Sequence, residues 1–304
     1  MTSLFSKGFS KLLVCGGQSP TTDNCEVIDL ASAETTCKDL PKLPVTVHAA
    51  IGGLGMDKNP IICGGIQNNA TSNICYTLQN KEWISSDSMN SKRSFAASAQ
   101  LQDGKLLVTG GDSGSGNLNS SEILTEEGWE SKVPSLPDMI AWHCMVFLNS
   151  TSVMAIAGLG METFYFTFGE ESWTKGPELK HERLYHTCGR IRRDKDSKEM
   201  SIIFAGGSVG SPLSLVDILD DGSNEWRAGP ELPEGIAFSQ MVEDQNGGVV
   251  LVGGASQKDL PLDTLYQLPH GGQYATWTKM KKKLKTGRGA HTAFLVPDNI
   301  VDCS

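Results

Sequence analysis

Short apolar runs ending in two glycines recur along the chain. They are Leu12-Leu13-Val14-Cys15-Gly16-Gly17, Ile61-Ile62-Cys63-Gly64-Gly65, Leu106-Leu107-Val108-Thr109-Gly110-Gly111, Ile202-Ile203-Phe204-Ala205-Gly206-Gly207 and Val249-Val250-Leu251-Val252-Gly253-Gly254. A degenerate copy, Ala155-Ile156-Ala157-Gly158-Leu159-Gly160, fills the one gap, so that the first glycines recur every 46 to 48 residues. A fixed period of this length marks a repeat architecture, each repeat being one supersecondary unit. Trp83, Trp129, Trp173, Trp226 and Trp277 follow their glycines by 15 to 24 residues, and Cys37 stands near that place in the first unit. A β-type segment such as Ser121-Glu122-Ile123-Leu124 lies between glycines and tryptophan; proline-marked turns and a further apolar run come after. Each unit therefore predicts four short antiparallel strands, a to d, with the glycines ending b and the tryptophan on d.

The double glycine, the tryptophan about 20 residues later and the period of roughly 50 resemble the kelch repeat over nearly the whole chain. The departures are the Gly158-Leu159-Gly160 copy, the missing first tryptophan and the lack of a tyrosine before the glycines. The resemblance implies an all-β, single-domain, six-bladed propeller over residues 1–304. The first unit lacks strand a, and the chain ends on an orphan strand a, Ala290 to Val296. Docking that strand beside Leu12–Val14 completes the first blade and closes the ring. Removing the chain from Arg288 onward is then expected to expose an unpaired edge.

Composition narrows the function classes. The 304 residues are 39% hydrophobic and 20% charged, enough apolar material for a folded core. No window of 18 apolar residues is present to span a membrane. The net charge of −9 argues against nucleic acid as a partner, since phosphate neutralisation needs a basic face. Near the start, Leu12-Leu13-Val14 is the only apolar run, too short for a secretion signal, which points to the cytoplasm. Eight cysteines without a Cys-x-x-Cys pair fit that compartment as free thiols. Cys15 with Cys25 and Cys63 with Cys75 nonetheless fall on paired strands b and c. Three glycosylation sequons, Asn69-Ala-Thr71, Asn119-Ser-Ser121 and Asn149-Ser-Thr151, keep secretion open as the alternative. A monomer without cofactor is expected.

Strand direction puts the b–c loops and the d–a linkers on one face, called upper here. Its loops are small and polar: Ser19 to Thr22, Gln67 to Asn69, Asp112 to Asn117, Ser208 to Ser211 and Ser256 to Asp259. Ser113, Asn117, Ser208 and Ser211 are candidate contacts there, with Trp142 and Tyr185 at the entry to strand a. Arg93, Arg183 and Arg288 also open strand a. In kelch adaptors of ubiquitin ligases such arginines bind acidic peptides, so the resemblance implies the same role for these three, through the bidentate guanidinium fork. The competing role is structural, capping carbonyls between blades. Lys281, Lys282 and Lys283, in a basic run from Lys279 to Arg288, are read as a d–a loop that steers an acidic partner.

His48, His143, His186 and His291 recur at the start of strand a; no carboxylate accompanies all of them, so they are read as structural and not as metal ligands. Gly206-Gly207-Ser208-Val209-Gly210 matches a nucleophile elbow formally, but Pro212 and a β-type run follow where a helix is required. Gly111-Asp112-Ser113-Gly114 is likewise a repeat turn. The expected function is a non-enzymatic protein-interaction module that binds an acidic segment on the upper face. The alternatives are a sugar-active enzyme resembling kelch-type sialic acid epimerases, or a secreted glycan-binding protein.

Overall fold

The computed structural model describes residues 8–32, 37–156, 158, 160–256, 260–271 and 275–303. Ala157 and Leu159 of the degenerate glycine copy, and Gln257 to Asp259 of one upper loop, lie outside them. Among the described residues there are strands and turns and no helix. Antiparallel pairing gives six main sheets. Sheet I joins Thr292–Val296, Lys11–Cys15 and Cys25–Asp29. Sheet II holds Ile51–Leu54, Pro60–Cys63, Cys75–Gln79 and Glu82–Ser86. Sheet III holds Ala97–Gln100, Leu106–Thr109, Ser121–Thr125 and Gly128–Glu130. Sheet IV holds Cys144–Asn149, Ser152–Ile156, Thr163–Thr167 and Thr174–Lys175. Sheet V holds Thr187–Arg192, Met200–Ala205, Val216–Leu219 and Arg227–Ala228. Sheet VI holds Gln240–Glu243, Val249–Val252, Thr264–Leu268 and Thr278–Lys283. In each sheet the strands are taken in the order a to d.

The a strands touch one another in sequence from sheet II to sheet VI; that of sheet VI touches Thr292–Val296, which in turn touches sheet II. Strand b of each sheet is mostly apolar and, Met200 apart, buried, because it has sheet neighbours on both sides and other sheets on both faces.

Two repeated devices hold neighbouring sheets together. The first is the glycine pair. A Cβ on Gly206 would lie 2.3 Å from the Ile236 carbonyl oxygen, where the chain enters sheet VI, and both Gly206 and Gly207 have positive φ. The space released lets the Gly207 N–H donate to the Ile236 oxygen at 2.8 Å. Gly16, Gly64, Gly110 and Gly253 meet the next sheet in the same way. The second device is the tryptophan. Trp83, Trp129, Trp173, Trp226 and Trp277 donate their Nε1–H groups to Pro41, Asp87, Pro134, Pro177 and Pro230 carbonyls of the preceding linker. Trp83 and Trp129 lie on strand d and Trp173, Trp226 and Trp277 directly before it, and from there each anchors the linker from the preceding sheet.

Sheet I departs from the four-strand expectation. Thr292–Val296 pairs with the whole of Lys11–Cys15, as the sequence predicts, but among the described residues the sheet has three strands. Where strand d would lie, Cys37 pairs with Cys303, and Lys11 Nζ donates to the Asp298 and Val301 carbonyls.

The cysteines correct the expectation of free thiols: Cys15–Cys25, Cys37–Cys303, Cys63–Cys75 and Cys144–Cys188 are all disulfides. Cys15 with Cys25 and Cys63 with Cys75 face one another at Cα separations of 4.2 and 4.0 Å, the short spacing of non-hydrogen-bonded antiparallel pairs. Cys144 and Cys188 belong to the a strands of neighbouring sheets IV and V.

Candidate functional site

The arginines expected to meet a ligand are interior groups. Arg93, Arg183 and Arg288 are at most 2% exposed. Arg93 donates to the Gly110 and Ser120 carbonyls and pairs with Glu122 at 2.8 Å. Arg288 donates to the Gly16 and Asn24 carbonyls and pairs with Glu26 at 2.8 Å. Arg183 reaches the Gly206 and Leu215 carbonyls, pairs with Asp217 and lies 4.2 Å from the Phe204 ring centre. Each satisfies carbonyls at the b–c junction of its own sheet, where the glycines leave backbone acceptors without partners, and none is open to a partner's carboxylate.

The basic run is also relocated. Lys281, Lys282 and Lys283 lie on strand d of sheet VI, at the outer edge, and not in an upper loop. An exposed edge strand tolerates lysines, which discourage further pairing. Lys282 Nζ donates to the Asp29 carbonyl, Lys283 pairs with Asp263, and Lys285 pairs with Asp39. The Lys283 hydrogen bond also holds the Asp263 carboxyl below its usual range. Lys283, Lys285 and Arg288 of this run are thus paired with acids within the fold, while Lys279 and Lys281 are exposed on the outer strand.

The histidines occupy interior places. His143, His186 and His291 directly follow the turn residues that enter strand a, whereas His48 precedes its turn residue and so falls out of register with them. His143 Nε2 is 2.9 Å from Thr109 Oγ1, and the two ring nitrogens of His186 face the Arg183 and Ile156 carbonyls. Burial pushes all three down to about 3, helped by His186 and Arg93 at His143, by Arg183 at His186 and by Arg288 at His291. These rings are neutral at physiological pH. Among the described residues no cluster of metal-ligating side chains forms.

The centre of the upper face is where the sequence left most unsaid. One residue at each entry to strand a has left-handed backbone: Ala49, Phe95, Trp142, Tyr185, Phe238 and Ala290, with φ between 49° and 59°. Amide hydrogen bonds run between them from sheet to sheet. Trp142 donates to Phe95, Phe95 to Ala49, Ala49 to Ala290, Ala290 to Phe238 and Phe238 to Tyr185. The four aromatic rings gather on this inner circle. Trp142 and Tyr185 are 5.9 Å apart edge to face, Phe95 lies 6.1 Å from each, and Phe238 stacks on Tyr185 at 4.0 Å. All four are half-buried. Left-handed backbone costs a bulky residue roughly 1–3 kcal/mol, and alanine performs the same turn at positions 49 and 290. The turn therefore does not require the rings. Of the sequence-chosen residues, Trp142 and Tyr185 do sit together; Phe95 and Phe238 were missed, although they stand at the same repeat position.

The polar loops surround this hub. Ser113 Oγ donates to the Gly116 carbonyl, Asp112 bridges Asn117, and Ser208 bridges Pro212 with Ser211 exposed. Ser208 is part of a turn and not of a strand-to-helix elbow. Among the described residues the exposed large apolar side chains are Ile74, Ile84, Met139, Met161, Val209 and Leu260. All but Ile84 stand on b–c loops or d–a linkers, hence on the upper face; Met139 is 67% and Val209 62% exposed.

Below the hub, a cavity of about 590 Å³ follows the inner strands from Ala50, Ala96 and His143 down to the exposed Lys58 and Asp103 of the lower turns. Its wall includes Arg190 and Glu243, paired to each other through two hydrogen bonds of 2.7 and 2.9 Å.

No family model matches the sequence, and no curated protein does either. Comparison of folds gives a different result: the solved structure of YjhT aligns over 89% of this chain and 94% of its own, with a TM-score of 0.74 at 14% sequence identity. The fold is a β-propeller. In propeller terms the hub lies on the axis at one end of the central channel, with the apolar loop residues on the blade tips around it.

Proposed function

We propose that the chain is a closed, six-bladed propeller of the kelch type that acts as a protein-binding module in an oxidising compartment. The ring reading draws on the cyclic contacts of the a strands and on the pairing of Thr292–Val296 with Lys11–Cys15. The kelch reading draws on the glycine pair and the tryptophan anchor of strand d. The compartment reading draws on the pairing of all eight cysteines, since disulfides persist outside the reducing cytosol.

The binding reading rests on one observation, the collection of exposed apolar side chains on the upper face around the aromatic hub. Interfaces combine a dry aromatic centre with a polar rim, and tryptophan and tyrosine are over-represented among the residues that dominate affinity. With the arginines buried and the lysines on the outer strand of sheet VI rather than on the upper face, the partner segment is apolar rather than acidic. Binding is then only weakly sensitive to salt.

Pull-down from native extract tests this. The pair Met139→Asp and Val209→Asp, both in exposed loops, is expected to weaken capture of the partner about tenfold or more. Lys198→Glu on the lower face is expected to leave it unchanged. Undiminished capture by the first variant together with loss in the second refutes the assignment of the face.

A second reading, a sugar-active enzyme, draws on the axial cavity, which suits a small polar molecule in volume. Turnover of sialic acids by the pure protein decides for it, and no turnover decides against it.

A further inference from the structure

Two of the three sequons differ from the third in how the fold presents them. Asn149-Ser150-Thr151 forms the lower turn between strands a and b of sheet IV, next to a register shift between Phe147 and Asn149. The Asn149 carboxamide oxygen accepts hydrogen bonds from both the N–H and the hydroxyl of Thr151, each 3.0 Å. Asn149 Nδ2 has no partner among the described residues, and Ser150 and Thr151 are exposed. Asn69 is exposed at the tip of the two-residue turn between Ile66–Gln67 and Ala70–Thr71, with both Asn68 and Asn69 left-handed. The third sequon is built differently: Ser121 is 2% exposed, and its hydroxyl donates to the Pro134 carbonyl at 3.0 Å. Its hydroxyl is committed to the interior.

We propose that Asn69 and Asn149 carry N-linked glycans and that Asn119 does not. The inference rests on the oxidising-compartment reading above, whose own support, the cysteine pairing, is independent of the sequons. The donor is an oligosaccharide held on a polyprenyl diphosphate. The Asn Nδ2 forms a bond to the sugar C1, the C1–O bond to the diphosphate breaks, the diphosphate leaves with that electron pair, and the carboxamide loses one proton. The product keeps a planar amide and places a bulky polar group on the surface. One glycan stands on the lower face. The other stands on the upper loop of sheet II, at the margin of the apolar surface.

The test uses the protein purified from its native source. Enzymatic deglycosylation in heavy-oxygen water converts each glycosylated asparagine to labelled aspartate, read by peptide mass spectrometry. Label at positions 69 and 149 and none at 119 is the expected result. In the same sample, alkylation without reduction reports the cysteines. Blocked cysteines with no label at 69 and 149, or with label at only one of them, overturn the glycan assignment while leaving the compartment reading intact. Freely alkylated cysteines overturn the compartment reading and the glycans with it. In cells that secrete the full chain, Asn69→Gln and Asn149→Gln are each expected to remove one glycan-sized step of gel mobility and both together two, whereas Asn119→Gln removes none. A mobility unchanged by the double variant refutes the proposal.

Discussion

Arg93, Arg183 and Arg288 enter alternate sheets, and the acids they meet alternate with them. At one equivalent place of strand c, its second residue in sheets I to V and its third in sheet VI, stand Glu26, Tyr76, Glu122, Phe164, Asp217 and Tyr266. At the matching place before strand a stand Arg288, Val47, Arg93, Ile140, Arg183 and Ile236. An ionic set therefore alternates with an aliphatic–aromatic set, and each of the second kind packs within one cluster, as Ile140 does with Phe164. Removing one partner of a buried ion pair strands the other charge. Arg183→Ala is thus expected to cost about 3–5 kcal/mol, seen as a lower denaturation midpoint. The double change Arg183→Ile with Asp217→Phe, copying sheet IV, is expected to recover most of that loss. A double variant as unstable as the single one contradicts the equivalence of the two sets. The buried histidines give a second outcome at this scale. Their folded values near 3 lie below the unfolded value near 6.5, so the unfolded chain binds protons that the folded one refuses. Stability is complete above about 6.5 and falls as pH drops toward 3, by on the order of 1.4 kcal/mol per pH unit for each ring once well below 6.5. Glu26, raised by burial, acts in the opposite direction. Urea melts at pH 7 and pH 4 check the sign, and equal midpoints contradict it.

At the level of strands, the sequence is legible where the constraint is local. The glycine pair is visible because a Cβ at its first place strikes backbone, as Gly206 shows against Ile236, and that first place is glycine in all six units. The tryptophan is visible because a single large side chain both fills the gap between sheets and reaches a linker carbonyl, as Trp226 does to Pro177. Less legible is whatever depends on which way a side chain turns. Arginine before strand a suits a ligand fork and an interior cap equally well on pattern alone. The acids that decide it lie some 29 to 34 residues further on for Arg93 and Arg183, and only laying the six c strands in register brings them out. Phe95 and Phe238 escaped for a related reason. Their importance comes from backbone handedness and from meeting residues of other sheets, and neither leaves a period of its own. The lysine run was misread because charge suggests a loop, whereas an outer strand with one open edge accommodates it. Cys15 with Cys25 was placed on adjacent strands by the repeat, but Cys144 with Cys188 needs knowledge of which inner strands lie side by side.

Across the whole molecule, the two ends of the described chain meet in sheet I. Asp298 accepts hydrogen bonds from the N–H and the hydroxyl of Ser10, and its own N–H donates to Gly8. Cys37–Cys303 fastens this junction at the rim, 266 residues apart in sequence; closing so long a loop covalently reduces the entropy of the unfolded chain. The ends are therefore not the weak place. Among the described residues, the amide bonds around the hub link five of the six junctions and omit the step from Tyr185 to Trp142, between sheets IV and V. Cys144–Cys188 spans that same step. In mechanical terms the hub is a split washer whose gap has been riveted shut, and taking out the rivet gives the molecule one preferred place to yield. After Cys144→Ala with Cys188→Ala, amide hydrogen exchange is expected to accelerate first in Cys144–Asn149 and Thr187–Arg192. Acceleration that begins in sheet I would place the seam at the chain ends instead.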